Sequence, residues 1–102
     1  MNKYQLELLN ALGKWRKDAE IEAYNLREAR NKAITLQIDD CEECIVSGEI
    51  IDFEIQVSSG YRGYSDAENS EYFIVVARVD DEKTPYDFTY YRIYEIKGAQ
   101  NV

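Results

Sequence analysis

The chain has 102 residues, with 12 lysines and arginines against 20 aspartates and glutamates, so its formal net charge is −8. A chain of this length is typical of one hydrophobic core, and we expect residues 1–102 to form a single domain. Strong negative charge repels nucleic acid and anionic lipid but attracts basic proteins. Direct binding to nucleic acid or to a membrane surface is therefore excluded as a first hypothesis.

The charge is distributed unevenly along the chain. Residues 1–32 hold seven basic and five acidic side chains, a net charge of +2. Residues 33–102 hold five basic and fifteen acidic side chains, a net charge of −10. We expect the acidic part to attract a basic partner, most strongly at low salt.

Histidine is absent from the chain. Its absence removes the commonest general base, the usual partner of a nucleophilic Ser or Cys, and the commonest metal ligand. We therefore expect a protein that is not an enzyme and that holds no cofactor or metal. The sequence also lacks a run of about 20 apolar residues and a signal-peptide profile, which predicts a cytoplasmic location.

The first third of the chain carries a helical pattern. Residues 3–33 contain one glycine, no proline and mostly residues that favour helices. Their apolar side chains recur at spacings of three and four residues, which is typical of one face of a helix. The face comprises Leu8, Leu12, Trp15, Ala19, Leu26, Ala29 and Ala33. The pattern predicts a long N-terminal amphipathic helix, either unbroken or broken near Gly13.

The remaining residues carry patterns typical of β-strands. Residues 51–57 alternate apolar and polar side chains, and residues 72–79 are nearly all apolar. Residues 88–96 carry tyrosine and arginine on both faces, which predicts a strand at an edge or on a partly exposed sheet surface. A shorter alternation over residues 34–38 predicts a further strand, with the frayed end of the helix as the alternative.

These elements together predict an α+β fold. The helix over residues 1–33 would pack across one face of a three- to four-stranded antiparallel β-sheet meander over residues 34–102. Residues 72–79 would lie in the middle of that sheet, because they are apolar on both faces.

An acidic cluster follows the predicted helix. Seven carboxylates fall within sixteen residues that include no lysine or arginine. They are Asp39, Asp40, Glu42, Glu43, Glu49, Asp52 and Glu54. Two interpretations stay open: a solubilising surface, or a polyanionic face that docks on a basic groove by imitating the phosphates which that groove normally binds. On a strand, Asp52 and Glu54 would stand about 6 to 7 Å apart on one side, a spacing similar to the repeat of a nucleic-acid strand.

A loop containing glycine and serine precedes residues 72–79 and carries aromatic side chains. Tyr61, Arg62 and Tyr64 belong to the residue types most enriched in binding hot spots. We expect them to contact a protein partner. The alternative is that the two tyrosines fold back over the open edge of the core.

Cys41 and Cys44 have the spacing of half a zinc site or of a redox pair. A chain without histidine offers a metal only these two thiolates and carboxylates, and the two intervening glutamates disfavour a reactive thiolate. We therefore predict two reduced cysteines in a turn near the core, without a metal.

Small size, acidity, absent histidine and a tyrosine-bearing loop resemble, in general character, the small inhibitors that phages and mobile elements encode against nucleases. These include anti-CRISPR proteins and other nucleic-acid mimics. The resemblance is one of composition and covers no motif. It implies a non-enzymatic inhibitor that occupies a basic surface of a nucleic-acid-binding protein, such as a nuclease or a CRISPR-type effector. If a phage encodes the protein, the expected location is the host cytoplasm. The alternative is a structural or assembly protein that forms homo-oligomers through the helix face, with Leu12 and Trp15 at the seam.

Overall fold

The computed structural model describes residues 1–60, 70–80 and 87–96, which form one helix and five strands. In chain order the elements are β1 (Asn2–Leu9), β2 (Trp15–Ala23), α1 (Leu26–Ser47), β3 (Asp52–Gly60), β4 (Glu71–Val79) and β5 (Asp87–Glu95). The predicted α+β class is confirmed. The helix, however, lies in the middle of the chain, and the sheet has five strands instead of three or four.

The five strands form one antiparallel sheet with the order β2-β1-β5-β4-β3. The hairpin β1–β2 makes one half and the meander β3–β4–β5 makes the other. The halves join where β1 pairs with β5, with Leu6 opposite Ile93. Because α1 connects β2 at one edge with β3 at the other, it crosses one face of the sheet and contacts all five strands.

The predicted helix over residues 1–33 is wrong, because most of this segment is the hairpin β1–β2. Its core-facing side chains alternate along each strand. They are Tyr4, Leu6 and Leu8 in β1, and Ala19, Ile21 and Ala23 in β2. Several apolar positions fit both this alternation and the three-to-four spacing of a helix, and pairing with β5 decides between the two.

The turn of this hairpin contains Gly13, where a break in the helix was predicted. The Asn10 side chain accepts hydrogen bonds from the backbone N–H groups of Leu12 and Lys14, both at 3.0 Å. Gly13 has a φ of 76°, a left-handed conformation that favours glycine. This residue therefore closes a β-turn, and there is no helix for it to bend.

Capping residues define both ends of α1. The Asn25 side chain accepts a hydrogen bond from the N–H of Glu28 at 2.8 Å, and Gly48 ends the helix in the left-handed conformation with a φ of 84°. Residues 34–38 lie inside this helix, so the strand predicted there is wrong. Five residues are too few to distinguish the alternation of a strand from one face of a helix. The capping residues Asn25 and Gly48, which lie outside residues 34–38, mark the segment between them as a helix.

The core lies between α1 and the sheet face that it crosses. The largest fully buried side chains are Leu6, Cys41, Ile74, Val76 and Ile93. α1 approaches the sheet closely because two residues that it turns inward, Ala29 and Ala33, are small and fully buried. The opposite side of α1 faces solvent. The sheet face turned away from α1 is called the far face below.

The strands predicted in the second half of the chain are confirmed with shifted ends. Residues 51–57 correspond to β3, residues 72–79 to β4 and residues 88–96 to β5. β5, and not β4, is the middle strand, because β1 pairs with its other edge. The edge position predicted for β5 is therefore wrong, whereas its partly exposed surface is confirmed by Phe88 and Tyr90, which are about half exposed.

Candidate functional site

The outward side of α1 carries three of the predicted acidic residues. Asp39, Glu42 and Glu43 are exposed in the C-terminal half of the helix and, with Val46 and Ser47, line a shallow open depression. Val46 is 89% exposed. Among the described residues, none of the three carboxylates has an ion-pair partner. Asp39, Glu42, Glu43 and Val46 are called the acidic helix surface below.

Two further predicted acids lie where α1 meets the sheet. Asp40 accepts a hydrogen bond from Nη2 of Arg78 on β4 at 2.9 Å. Glu49 accepts one from Sγ of Cys44 at 3.5 Å. Partial burial raises the pKa of the Cys44 thiol, and the hydrogen bond and charge of Glu49 raise it further. The thiol is therefore less reactive than that of an ordinary cysteine.

The last two predicted acids, Asp52 and Glu54, lie on β3 with their side chains on the far face. Phe53 and Ile55, which alternate with them, pack against the core on the other side. The seven acids therefore do not form one surface. Three lie on the outside of α1, two at the junction of helix and sheet, and two on the opposite side of the sheet.

The other predicted contact residues are distributed as follows. Tyr61, Arg62 and Tyr64 lie outside the described residues. Leu12 is 80% exposed in the β1–β2 turn, and Trp15 begins β2 on the far face. The helix face predicted to carry Leu12 and Trp15 is absent, since both belong to the hairpin.

Cys41 and Cys44 lie one turn apart on α1, and not in a turn as predicted. Both are free cysteines; Cys41 is fully buried in the core and Cys44 is half-buried. Within residues 1–60, 70–80 and 87–96, no three Cys, His, Asp or Glu side chains are grouped closely enough to hold a metal ion.

The far face holds a charged cluster that sequence reasoning missed. Nε of Arg92 donates to Oε1 of Glu7 at 2.6 Å. The other carboxylate oxygen of Glu7 accepts from Nε2 of Gln5 at 2.7 Å and from the Tyr94 hydroxyl at 2.9 Å. The Arg92 guanidinium also lies over the Trp15 ring, with its carbon 4.4 Å from the ring centroid. These five residues are called the Glu7 cluster below.

The Glu7 carboxylate is held in its charged form. Glu7 is only 8% exposed, and burial alone would raise its pKa. The hydrogen bonds from Arg92, Gln5 and Tyr94 outweigh burial and hold the pKa below its ordinary value of 4.5. Both oxygens already accept hydrogen bonds, so the cluster joins β1 to β5 instead of offering a reactive group. The alternation of Gln5 and Glu7 with apolar neighbours was the available signal, visible only once residues 2–9 are taken as a strand.

A pocket of about 230 Å³ lies on the far face across β3, β4 and β5. It is lined by Glu54, Gln56, Val75, Ala77 and Phe88. The Phe88 ring stacks on Tyr90 with the centroids 6.4 Å apart. Sites for small-molecule ligands usually measure about 300 to 1,000 Å³, so this pocket suits a single side chain better than a cofactor.

Comparison of the chain with protein-family models, curated proteins and solved structures gives no match. Among the described residues, no helix combines the length with the apolar composition of a membrane span. The acidic helix surface and the far-face pocket are the two candidate binding sites.

Proposed function

We propose that the protein is a small non-enzymatic binding protein that occupies a basic surface of a nucleic-acid-handling protein and inhibits it as a nucleic-acid mimic. The observation that carries the proposal is the acidic helix surface. There, Asp39, Glu42 and Glu43 are exposed around Val46 without a counter-charge among the described residues. Lysine and arginine side chains of a partner would supply the missing positive charge.

The spacing of these acids lowers the stability of α1. Asp39 is three and four residues from Glu42 and Glu43 on the helix, a spacing at which like charges repel. Acids that served solubility alone would act equally well elsewhere on the surface. A basic partner would relieve this repulsion, which supports a binding role.

Exposed apolar side chains accompany the carboxylates. Leu36 is 48% exposed one turn before Asp39, and Val46 is 89% exposed one turn after Glu42 and Glu43. Protein interfaces combine an apolar centre with a polar rim. The mixture supports docking into a groove whose basic residues flank apolar ones, instead of simple solvation.

The shifted pKa values of the described residues support binding over catalysis. Hydrogen bonds lower the pKa of Glu7 and keep it charged, whereas burial and Glu49 raise the pKa of Cys44 and keep it a thiol. A general base needs a pKa near the working pH, and a nucleophilic cysteine needs a thiolate. Neither group has the required property.

A nuclease or a CRISPR-type effector is the partner class that we propose. Such proteins hold a polyanionic strand in a groove lined by lysine and arginine. Carboxylates at three- and four-residue spacings on a helix lie about 5 to 6 Å apart at Cβ, so Asp39, Glu42 and Glu43 present a compact polyanion to such a groove.

The test is recovery of partners from a lysate of the source organism at low and high salt, with identification by mass spectrometry. The expected result is a basic nucleic-acid-binding protein that is recovered at low salt and lost at high salt. The triple variant Asp39→Asn, Glu42→Gln, Glu43→Gln should lose it. The triple variant Asp18→Asn, Glu20→Gln, Glu22→Gln removes the same charge from exposed positions of β2 and should retain it.

The recovered protein is then assayed for nucleic-acid binding and cleavage with and without this chain. Inhibition that excess nucleic acid relieves would support the mimic. If both triple variants lost the partner equally, net charge alone would explain the interaction, and the proposal would be contradicted. Recovery of this chain alone, insensitive to salt, would contradict it too and favour self-assembly.

A further inference from the structure

The two edge strands of the sheet differ in how they are protected from pairing with another chain. β2 carries Arg16 and Lys17, and its pairing with β1 contains a register shift that leaves Asp18 with no residue opposite it. Basic side chains and such bulges keep an edge strand from pairing with a further strand. β3 has neither protection, because its nine residues pair with β4 without a shift and include no lysine, arginine or proline. The side of β3 turned away from β4 is called the open edge below.

An apolar row of the core ends at the open edge. Ile55 lies opposite Val76 on β4, Val57 lies opposite Ile74, and both β4 side chains are fully buried. Val57, however, is 41% exposed, and Ile55 is only partly buried. Within the described residues β3 pairs with β4 alone, so alternate backbone N–H and C=O groups of β3 have no strand partner at this edge. A strand added beside β3 would cover the apolar side chains and pair these backbone groups.

Residues 54–58 are complementary to a second copy of themselves. When two copies run antiparallel with Gln56 opposite its own copy, Ile55 of each lies opposite Val57 of the other, and Glu54 lies opposite Ser58. Opposite residues of an antiparallel pair point to the same face of the sheet. Apolar side chains would therefore meet apolar ones on the face that α1 crosses, and polar side chains would meet polar ones on the far face.

This register also keeps the carboxylates apart. Glu54 would lie four residues along the strand from its own copy, a separation of about 13 Å, which exceeds the screening length of about 8 Å at physiological salt. Centring the pair on Ile55 would bring the two Glu54 carboxylates to a separation of two residues. Centring it on Val57 would remove the contact between Ile55 and Val57. The register centred on Gln56 is the one that combines apolar contact with separated charges.

We propose that the protein forms a two-fold symmetric dimer through the open edge of β3, with residues 54–58 of the two copies paired antiparallel. The two five-stranded sheets would join into one sheet of ten strands, with both helices on the same side. Phe53 lies outside this pairing, because its N–H already donates to Oδ1 of Asp52 at 2.8 Å. A contact over five residues of each chain is smaller than a standard interface, so the dimer should dissociate on dilution, at micromolar concentrations.

The dimer is independent of the proposed function and should respond to salt in the opposite way. Each chain carries a net charge of −8, so two copies repel each other at low salt and should associate more tightly as salt is added. A basic partner on the acidic helix surface should instead be lost at high salt. The test is the mass of the purified full chain by analytical ultracentrifugation, from about 1 to 500 μM at both salt concentrations. We expect monomer at the lowest concentration and dimer at the highest, with more dimer at high salt.

Substitutions on β3 test the interface. Val57→Asp should return the chain to a monomer over this whole range, because it sets a carboxylate against Ile55 of the other copy. Leu12→Asp is the matched control in the β1–β2 turn, where Leu12 is 80% exposed, and should leave the dissociation constant within about twofold. Gln56→Glu sets two carboxylates directly opposite each other and should raise the dissociation constant by about three- to tenfold. Circular dichroism shows whether each variant is folded.

A cross-link tests the register without weakening the contact. Gln56→Cys would set two thiols directly opposite each other, within reach of a disulfide, so oxidised glutathione should link two chains. Ser58→Cys is the control on the same face of β3, because each new thiol would lie about 13 Å from its copy and should not be linked. The wild type, with its own Cys41 and Cys44, gives the background.

A chain that stays monomeric at about 500 μM and high salt would overturn the proposal and leave the open edge to a strand of another protein. A dimer that survives Val57→Asp, or that Leu12→Asp weakens as much, would overturn it as well. Equal cross-linking of Gln56→Cys and Ser58→Cys would have the same consequence. Failure of the lysate test with an intact dimer would contradict the proposed function alone. A monomeric chain that still recovers a basic partner would contradict the dimer alone.

Discussion

Arg92 and Glu7 are 85 residues apart in the sequence, yet Nε of the first lies 2.6 Å from Oε1 of the second. The contact joins β5 of the meander to β1 of the hairpin, at the junction between the two halves of the sheet. Both side chains are largely removed from solvent, with exposures of 21% and 10%. Removing one partner would therefore leave the other charge poorly solvated.

Glu7→Gln should destabilise the protein strongly. The variant keeps the shape of the side chain but removes the counter-charge of Arg92, so we expect the free energy of unfolding to fall by about 2 to 3 kcal/mol. Urea unfolding at neutral pH measures the loss. Glu20→Gln is the matched control, because Glu20 pairs with Lys17 at 3.6 Å, both side chains are about half exposed, and the change in stability should be less than about 0.5 kcal/mol. Equal effects of the two variants would contradict a structural role for the Glu7 cluster.

The stability that Glu7 contributes should be lost in acid. Its pKa is lowered in the folded protein, so the contribution is complete above the ordinary value of 4.5 and disappears as the pH falls through the folded pKa. The groups that face the Glu7 carboxylate are Arg92, Gln5 and Tyr94, together with Lys17, which lies opposite Glu7 on β2. The measurement is the difference in unfolding free energy between wild type and Glu7→Gln, which cancels the other acids. This difference in unfolding free energy should become smaller below about pH 4.5. A difference that did not change with pH would show that the charge of Glu7 is not involved.

Neutralising the acidic helix surface should stabilise the folded chain. Asp39→Asn, Glu42→Gln, Glu43→Gln removes like-charge pairs at three- and four-residue spacing, so we expect a gain of about 0.5 to 1 kcal/mol. Thermal unfolding followed by circular dichroism measures it at low salt. Asp40→Asn is the control, since it removes the negative charge that pairs with Arg78 and should give no gain. A less stable triple variant would mean that these carboxylates have structural partners.

Asn25→Ala should weaken the start of α1. The Asn25 side chain satisfies the N–H of Glu28 at 2.8 Å, and loss of such a cap typically costs about 1 kcal/mol. Asn25→Asp keeps an acceptor at the same position and should differ from wild type by only a few tenths of a kcal/mol. Urea midpoints of the two variants compare the effects, and similar losses in both would show that the side-chain acceptor is not what matters.

Ala33→Leu should disturb the contact between helix and sheet. Ala33 is fully buried where α1 packs on the strands, and inserting a larger side chain into a packed core typically costs about 1 to 3 kcal/mol. Thr35→Leu adds bulk on the exposed side of the same helix and should change stability by less than about 0.5 kcal/mol. If Ala33→Leu did not lower the stability, α1 and the sheet would have to be packed less tightly around Ala33 than its full burial indicates.

The second half of the fold was predictable because its strands carry strong local patterns. Ile74, Val75 and Val76 are β-branched in succession, and residues 51–57 alternate cleanly. The first third was not, because Leu8 and Ala19 satisfy a helical spacing and a strand alternation at once. Its many Leu, Lys, Glu and Ala residues favour helices. Pairing of β1 with β5 overrides that preference, and contacts between residues 85 apart leave no local pattern.

Predicting the candidate site depended on locating the helix. With Asn25 and Glu28 taken as a helix start and Gly48 as its end, Asp39, Glu42 and Glu43 fall on one side of α1. Asn25 and Gly48 are the residue types that favour the two ends of a helix, but the helical spacing of residues 8–33 runs across Asn25 and hides the boundary there. The partnership of Asp40 with Arg78 could not be predicted, because it depends on how α1 lies across β4.

The pairing of β1 with β5 also sets the order in which the chain can acquire its structure during synthesis. The hairpin β1–β2 and α1 are synthesised before residues 87–95. Until then one edge of β1 has no neighbouring strand, and an isolated two-stranded hairpin is only marginally stable. The nascent chain therefore has an unpaired strand edge, and such an edge is a template for aggregation. The sheet is completed late, because the contacts between β1 and β5 join residues that are far apart in the sequence. We therefore expect the pairing of β1 with β5 to be the slow step in forming this sheet.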